Sequence, residues 1–406
     1  MTPAPNALQA VRILDLSRVL AGPACTQLLG DLGADVIKIE RPGAGDDTRQ
    51  WGPPYLKDGQ GQDTTESAYY LSANRNKRSV AVDISKPEGQ ALIRRLLEGC
   101  DILVENFKVG DLARFGLDWA SLKQEFPRLI YCSVTGFGQD GPYAQRPGYD
   151  YLAQGMGGIM SLTGEIGGQP MKTAVAISDL MAGMYAAVAI LAALRHRDAT
   201  GQGQRIDISL LDCQVAWLSY QAQHYLTSGA PPPRLGNGHP SIVPYEVFAA
   251  SDGHLILAVG NESQFVKFCA LAGRPELATD PRFATNRARV LNRETLVPLI
   301  GDILKQRRVS DWLEALAEAG VPSGPVNRID QVFEDAQVKH RQMVCSLDHP
   351  LAPAPVQLVA SPIKMEATPP SYRHAPPTLG QHTKSVLRDL GLDEADISGL
   401  RTKGII

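Results

Sequence analysis

The 406-residue sequence carries six cysteines, and no two of them form a C-x-x-C pair. Cys25, Cys100, Cys132, Cys213, Cys269 and Cys345 are too scattered for a disulfide frame or a zinc site. They read as small apolar residues in a reducing, cytoplasmic compartment, with no metal expected. An excess of one charge is missing too. Forty Lys and Arg face 43 Asp and Glu for a formal net charge of −3, which argues against nucleic acid or an anionic membrane as a bulk partner. The opening MTPAPNALQAVRILDLS has no basic stretch followed by an apolar one, so no secretory leader is expected. The one long apolar run, residues 180–194, falls short of the ~20 residues that span a bilayer and is rich in Ala and Gly; it predicts a buried core helix. Two phosphate-binding motifs are also missing. Gly22, Gly30 and Gly33 do not make a G-x-G-x-x-G after the first apolar strand, and there is no Walker A, which disfavours dinucleotide or ATP chemistry.

What remains is an ordinary globular composition, 44% hydrophobic and 20% charged, long enough for two or three bodies. Apolar runs at 11–16, 35–40, 79–84, 101–105 and 129–134 predict strands. Helical patterns at 24–32, 87–98 and 121–126 fall between them, the second with Pro87 at its first turn. This alternation predicts a parallel sheet with helices on its faces. Residues 155–168 are glycine-rich and read as a loop. After the apolar helix come a TGQGQ turn, a strand at 205–211 and a helix through Tyr225. A Pro/Gly-dense break at 228–240 is the best boundary in the chain. Beyond it, strands at 245–249 and 255–259 with two or three helices predict a small second domain. A Pro-rich extended stretch at 355–380 leads to a short helix at 382–390 and a polar tail.

Three features carry chemistry. Asp179 precedes the apolar helix; its plain reading is a helix cap, its sharper one a nucleophilic carboxylate kept ionised by the positive helix end. Carboxylates are weak nucleophiles, so the second reading demands an activated acyl partner such as a thioester. Gly236-Asn237-Gly238-His239-Pro240 is either a linker turn or a loop that closes over a reactive intermediate and excludes water. Arg41, Lys86, Lys108 and Arg114 each follow a strand end. Singly they read as solvated loops, but together they suit a phosphate-bearing ligand beyond the carboxyl edge of the sheet.

These residues sit in long segments, ILDLSRVLAGPACTQLLGDLGADVIKIERPGAGDDTR, RNKRSVAVDISKPEG, DILVENFKVGDLARFGL and AISDLMAGMY, that resemble the class III CoA-transferases over essentially the whole chain. The resemblance implies that Asp179 attacks an acyl-CoA to give a mixed anhydride and then an aspartyl-CoA thioester, with CoA passing to a second acid and no permanently bound cofactor. It places Val19, Leu20 and Ala21 along the pantetheine arm and Arg41 near the nucleotide end, with Val82, Asn106, Phe107 and Arg114 completing the CoA set. Phe107 is expected beside the adenine. Tyr149 and Asp150 approach the reacting carbonyl. The flap falls on Gly236, Gly238 and His239. The implied fold is an interlocked homodimer with a Rossmann-like large domain (1–225 with 326–406) and a small α+β domain (226–325). The related racemases carry Gly-His-Asp where this chain has Gly148-Tyr149-Asp150. Tyrosine does not titrate near neutrality, so two-base racemisation lacks a partner.

Within the family, RLGNGHPSIVPYEVF most resembles the branch that moves CoA from succinyl-CoA to glutarate and similar dicarboxylates. Such an acceptor needs one carboxylate at Asp179 and a second contact, for which Arg18 and His239 are the candidates.

Overall fold

The computed structural model describes residues 6–406; the first five residues, part of the stretch read for a leader, lie outside them. Two compact units emerge. The first takes in the described residues up to Ile159, Lys172–Leu226 and Gln337–Ile406; the second takes in Met160–Met171 and Thr227–Ala336. The second unit thus runs past the expected end at 325, and part of the glycine-rich stretch belongs to it.

The first unit is built on a six-stranded sheet of β1 (Arg12–Asp15), β2 (Asp35–Glu40), β3 (Lys77–Ala81), β4 (Ile102–Glu105), β5 (Ile130–Thr135) and β6 (Arg205–Ser209). All five pairings are parallel, and the order is β3-β2-β1-β4-β5-β6, the order of a doubly wound nucleotide-binding sheet. Both faces are covered, which is why the central strands read as largely apolar runs, broken in β2 by Lys38. Ile13, Val36, Ile102 and Ile130 pack on one face against α1 (Ala21–Asp31) and a long helix over Ile177–Thr200. Leu14, Ile37, Val80 and Leu103 pack on the other against α2 (Pro87–Leu97) and a helix over Thr383–Asp389.

Several expectations need correction. The strand expected at 79–84 begins two residues earlier, so Val82 lies just beyond it, in the second core. The helix expected at 121–126 is one turn, Trp119–Leu122. The glycine-rich stretch is not all loop: α3 (Asp150–Met156) enters it, and a turn of helix spans Ile159–Leu162. The segment from 205 forms two helices after β6, over Leu210–Trp217 and Ser219–Ser228. The polar tail holds a helix over Glu394–Thr402, started by Asp393, whose carboxylate accepts from the Asp396 N–H.

The apolar helix, α4 (Ile177–Thr200), has 24 residues, so by length and composition alone it is long enough to cross a membrane. One face packs in the first core through Ala182, Ala186, Ile190 and Ala193. The other face is open in this chain, with Met184, Tyr185, Val188 and Leu191 exposed. It is a half-covered helix, not a fully buried one. Its contact with α1 is close: a Cβ on Gly183 would stand 2.7 Å from the Ala21 carbonyl oxygen.

In the second unit an antiparallel sheet over Tyr245–Ala249, His254–Ala258 and Ser323–Pro325 packs its own core around Phe265, Phe268 and Trp312.

Candidate active site

The order of the main sheet reverses between β1 and β4, and ligands of open parallel sheets sit beyond the carboxyl ends of the strands at such a point. A cleft opens there in the first unit. Arg18, Val19, Leu20 and Ala21 line it from the loop after β1 and the start of α1. Asn106 and Phe107 line it after β4, Tyr149 lies before α3, and Asp179 lies in the first turn of α4. With Lys108, which follows Phe107, nine of the residues singled out in the sequence therefore share one cleft. The Tyr149 segment reaches the cleft only because two glycines cross: a Cβ on Gly148 would stand 2.3 Å from the Gly136 Cα.

Asp179 is not the cap of its helix. Ala176 holds the cap position and offers no side-chain bond, leaving the first-turn N–H groups in need of acceptors. Asp150 supplies the acceptor from another element, its Oδ1 taking the Ser178 N–H at 2.8 Å and the Asp179 N–H at 3.4 Å. Gln154 steadies the arrangement by donating to Asp150 Oδ2 at 2.7 Å. The Asp179 carboxylate itself accepts no hydrogen bond among the described residues, and so faces the cleft unpaired. Burial and then the Asp150 charge push its pKa up to about 7. Burial and the Asp150 charge thus work against the ionisation expected from the helix end. Asp150 supports the Asp179 helix from behind and does not line the cleft.

The remaining candidates separate. Arg41 is exposed and lies outside the cleft lining, and Val82 is 2% exposed, a core residue. Arg114 is exposed and pairs with Asp111 at 2.9 Å. Of the four basic residues after strand ends, only Lys108 lines the cleft; Lys86 donates to the carbonyls of Lys403 and Gly404. Gly236, Gly238 and His239 belong to the second unit. There Gly236 has φ +59°, and His239 Nδ1 accepts the Ser241 N–H at 3.1 Å. Arg18 is half-exposed, bonded to Asp47 at 3.0 Å with its guanidinium 5.8 Å from the Phe107 ring. Asn106 is fully engaged with the Arg18 backbone, accepting its N–H at 2.9 Å and donating to its carbonyl at 2.6 Å.

Four participants were not anticipated. Asp47 and Arg146 line the cleft. The Tyr69 phenol is pushed up to about 12 by burial and then by the charges of Asp179 and Asp150. Beneath the cleft, fully buried Lys38 donates to Asp46 and to the Ser17 carbonyl, both at 2.9 Å. Its signal in the sequence was a lysine interrupting an apolar strand. Among the described residues no group of three or more His, Cys, Asp or Glu is placed to hold a metal.

An unpaired carboxylate at the floor of a sheet-end cleft, walled by basic and small residues, suits acyl exchange with a phosphate-bearing thioester. The sequence profile of CoA-transferase family III matches residues 8–383. The chain belongs to CoA-transferase family III. Among this family's characterised members, the chain is 48% identical to the succinate–glutarate CoA-transferase of Agrobacterium fabrum, over 96% of this chain and 98% of that one. It is 42% identical to human succinyl-CoA:glutarate CoA-transferase, over 98% of this chain and 90% of that one. A crystal structure of a CaiB/BaiF family protein from Brucella suis superposes with a TM-score of 0.85 at 46% identity, covering 95% of this chain and all of that one. This family III chain is accordingly a CoA-transferring enzyme with an α/β fold.

Proposed function

We propose that the enzyme moves CoA from succinyl-CoA to glutarate or a similar short dicarboxylate, with Asp179 as the covalent nucleophile. An Asp179 oxygen attacks the thioester carbonyl, the C–S bond breaks, and CoA leaves as thiolate while a mixed anhydride forms. The thiolate attacks the aspartyl carbonyl and releases succinate. The acceptor carboxylate then attacks the aspartyl-CoA carbonyl, the C–S bond breaks, and free thiolate leaves as a second anhydride forms. Attack of the thiolate on the acceptor's acyl carbon frees Asp179 and yields the new thioester. Each step exchanges one activated acyl bond for another, the starting and final thioesters are of similar energy, and no proton is consumed. The observation that carries this reading is the unpaired Asp179 carboxylate in the cleft; the names of the relatives at 42–48% identity support the two acids.

Incubation with succinyl-CoA followed by hydroxylamine is expected to leave a hydroxamate on Asp179, seen by peptide mass spectrometry. In a panel of acids offered with succinyl-CoA, glutaryl-CoA is expected among the fastest products. Wild-type exchange rates in Asp179→Ala would overturn the mechanism, and preference for a monocarboxylate would overturn the acceptor.

The same reading includes an interlocked homodimer in the cytoplasm. The open apolar face of α4 and the exposed Val215 and Trp217 support a second copy as its cover, and six free thiols fit a reducing compartment.

A further inference from the structure

Among the described residues only four other than glycine have positive φ, and Val19, at φ +71°, is the one that is β-branched. The left-handed region is a true outlier for such a residue, and outliers of this kind persist only where surrounding structure over-determines them. Val19 lies in the loop between β1 and α1, on the wall of the cleft that holds Asp179.

The loop is tied at every backbone polar group from Ser17 to the Val19 N–H, by side chains from separate parts of the unit. Asp15 accepts the Ser17 N–H at 2.9 Å, and Lys38 donates to the Ser17 carbonyl at 2.9 Å. Asn106 takes the Arg18 N–H and donates to the Arg18 carbonyl. Asp46 Oδ1 accepts the Val19 N–H at 3.2 Å, while its Oδ2 pairs with Lys38. Lys38 and Asp46 are each 1% exposed at the side chain, so neither leaves its partner without stranding a buried charge. Although burial opposes ionisation, Lys38 and the Thr48 bonds hold the Asp46 carboxyl down at about 2, so the tether persists across the working pH range.

We propose that Lys38, Asp46 and Asn106 are positioning residues that hold Val19 in its left-handed conformation and thereby set the wall on which acyl-CoA binds. Relaxed to negative φ, Val19 loses its bond to Asp46 and the start of α1 swings on the loop. The inference rests on the reading of this cleft as the acyl-CoA site.

The test is a double-mutant cycle between a tether and the strained residue. Asp46→Asn and Asn106→Ala are each made with Val19 and with Val19→Gly, and KM for succinyl-CoA, kcat, calorimetric CoA affinity and thermal midpoint are measured. Glycine takes positive φ without steric cost, so it needs less holding. Losing a tether is expected to raise KM and Kd about tenfold when residue 19 is valine but less than about threefold when it is glycine, with the thermal midpoint lowered equally in both backgrounds. An equal KM penalty in both backgrounds overturns the inference, as does a tether variant that binds CoA like wild type. Should Asp46→Asn not fold, Asn106→Ala carries the same comparison, since Asn106 is only partly buried. Wild-type protein that binds no CoA would sink the reading of the cleft itself, a result distinct from either.

Discussion

Asp179 combines two demands that pull against each other. As the nucleophile proposed above, it must be a carboxylate to attack, and it must be poorly solvated to be reactive once it does. With its pKa pushed up to about 7 by burial and then by Asp150, only part of the free enzyme is competent at neutral pH. The expected kcat/KM for acyl-CoA rises with slope one up to about pH 7 and then levels. In Asp150→Asn the inflection moves to lower pH by less than the whole shift, because burial, the larger cause, remains. The same residue bears on stability with a definite sign. An acid whose folded pKa exceeds its unfolded value holds its proton more tightly when folded, so stability falls as pH rises from about 4 to 7. Asp179→Asn is therefore expected to melt higher than wild type above pH 7, and the difference to vanish near pH 4. Arg18 supplies a second test. It is already paired with Asp47, so a second substrate carboxylate must displace that partner. Arg18→Ala is expected to raise the KM for a dicarboxylate about tenfold, and Asp47→Ala to lower it, with monocarboxylates little affected either way. Arg18→Ala without effect on dicarboxylate KM removes Arg18 from the site.

Helix α4 shows how an element delivers such a residue. Its first turn has no cap of its own, and Asp150 at the head of α3 provides one, so the position of Asp179 depends on two helices at once. Further along, Gly183 lets the backbone of α1 approach closely, which fixes the loop after β1 relative to Asp179. Gly183→Val forces a Cβ against a backbone oxygen, and overpacking of this sort costs about 1–3 kcal/mol. A lowered thermal midpoint together with a raised KM for acyl-CoA is expected; an unchanged KM would mean the α1–α4 contact does not govern the cleft. Elements of this kind were legible in the sequence where burial made them apolar. β1, β2 and α2 fall where the pattern put them. The antiparallel hairpin over Tyr55–Lys57 and Asp63–Ser67 was not legible, because its polar residues carry no alternation to read. Nor was the helix over Glu394–Thr402, whose cap Asp393 is ordinary in a tail.

At the scale of the whole molecule, one face of α4 is left uncovered by its own chain among the described residues. Met184, Val188 and Leu191 on α4 are exposed large apolar side chains, and helix faces of this composition are seldom left to water. With a second copy over them, sedimentation should report a dimer, and Val188→Glu should shift the equilibrium toward monomer with loss of activity. A wild-type monomer at micromolar concentration ends that proposal.

Chain order and chemistry along β1, β2, β4 and β5 settled the parallel sheet, and long unbroken motifs settled the family and pointed to Asp179, because apolar runs and covalent spacing are local quantities. Three-dimensional packing alone determined the rest. It removed Arg41, Val82 and Arg114 from the cleft, made Asp150 a cap for a helix 27 residues away in sequence number, and drove Lys38 beneath the floor. Burial, charge coupling and backbone strain depend on what distant segments bring to the same place, and no window along a chain contains that.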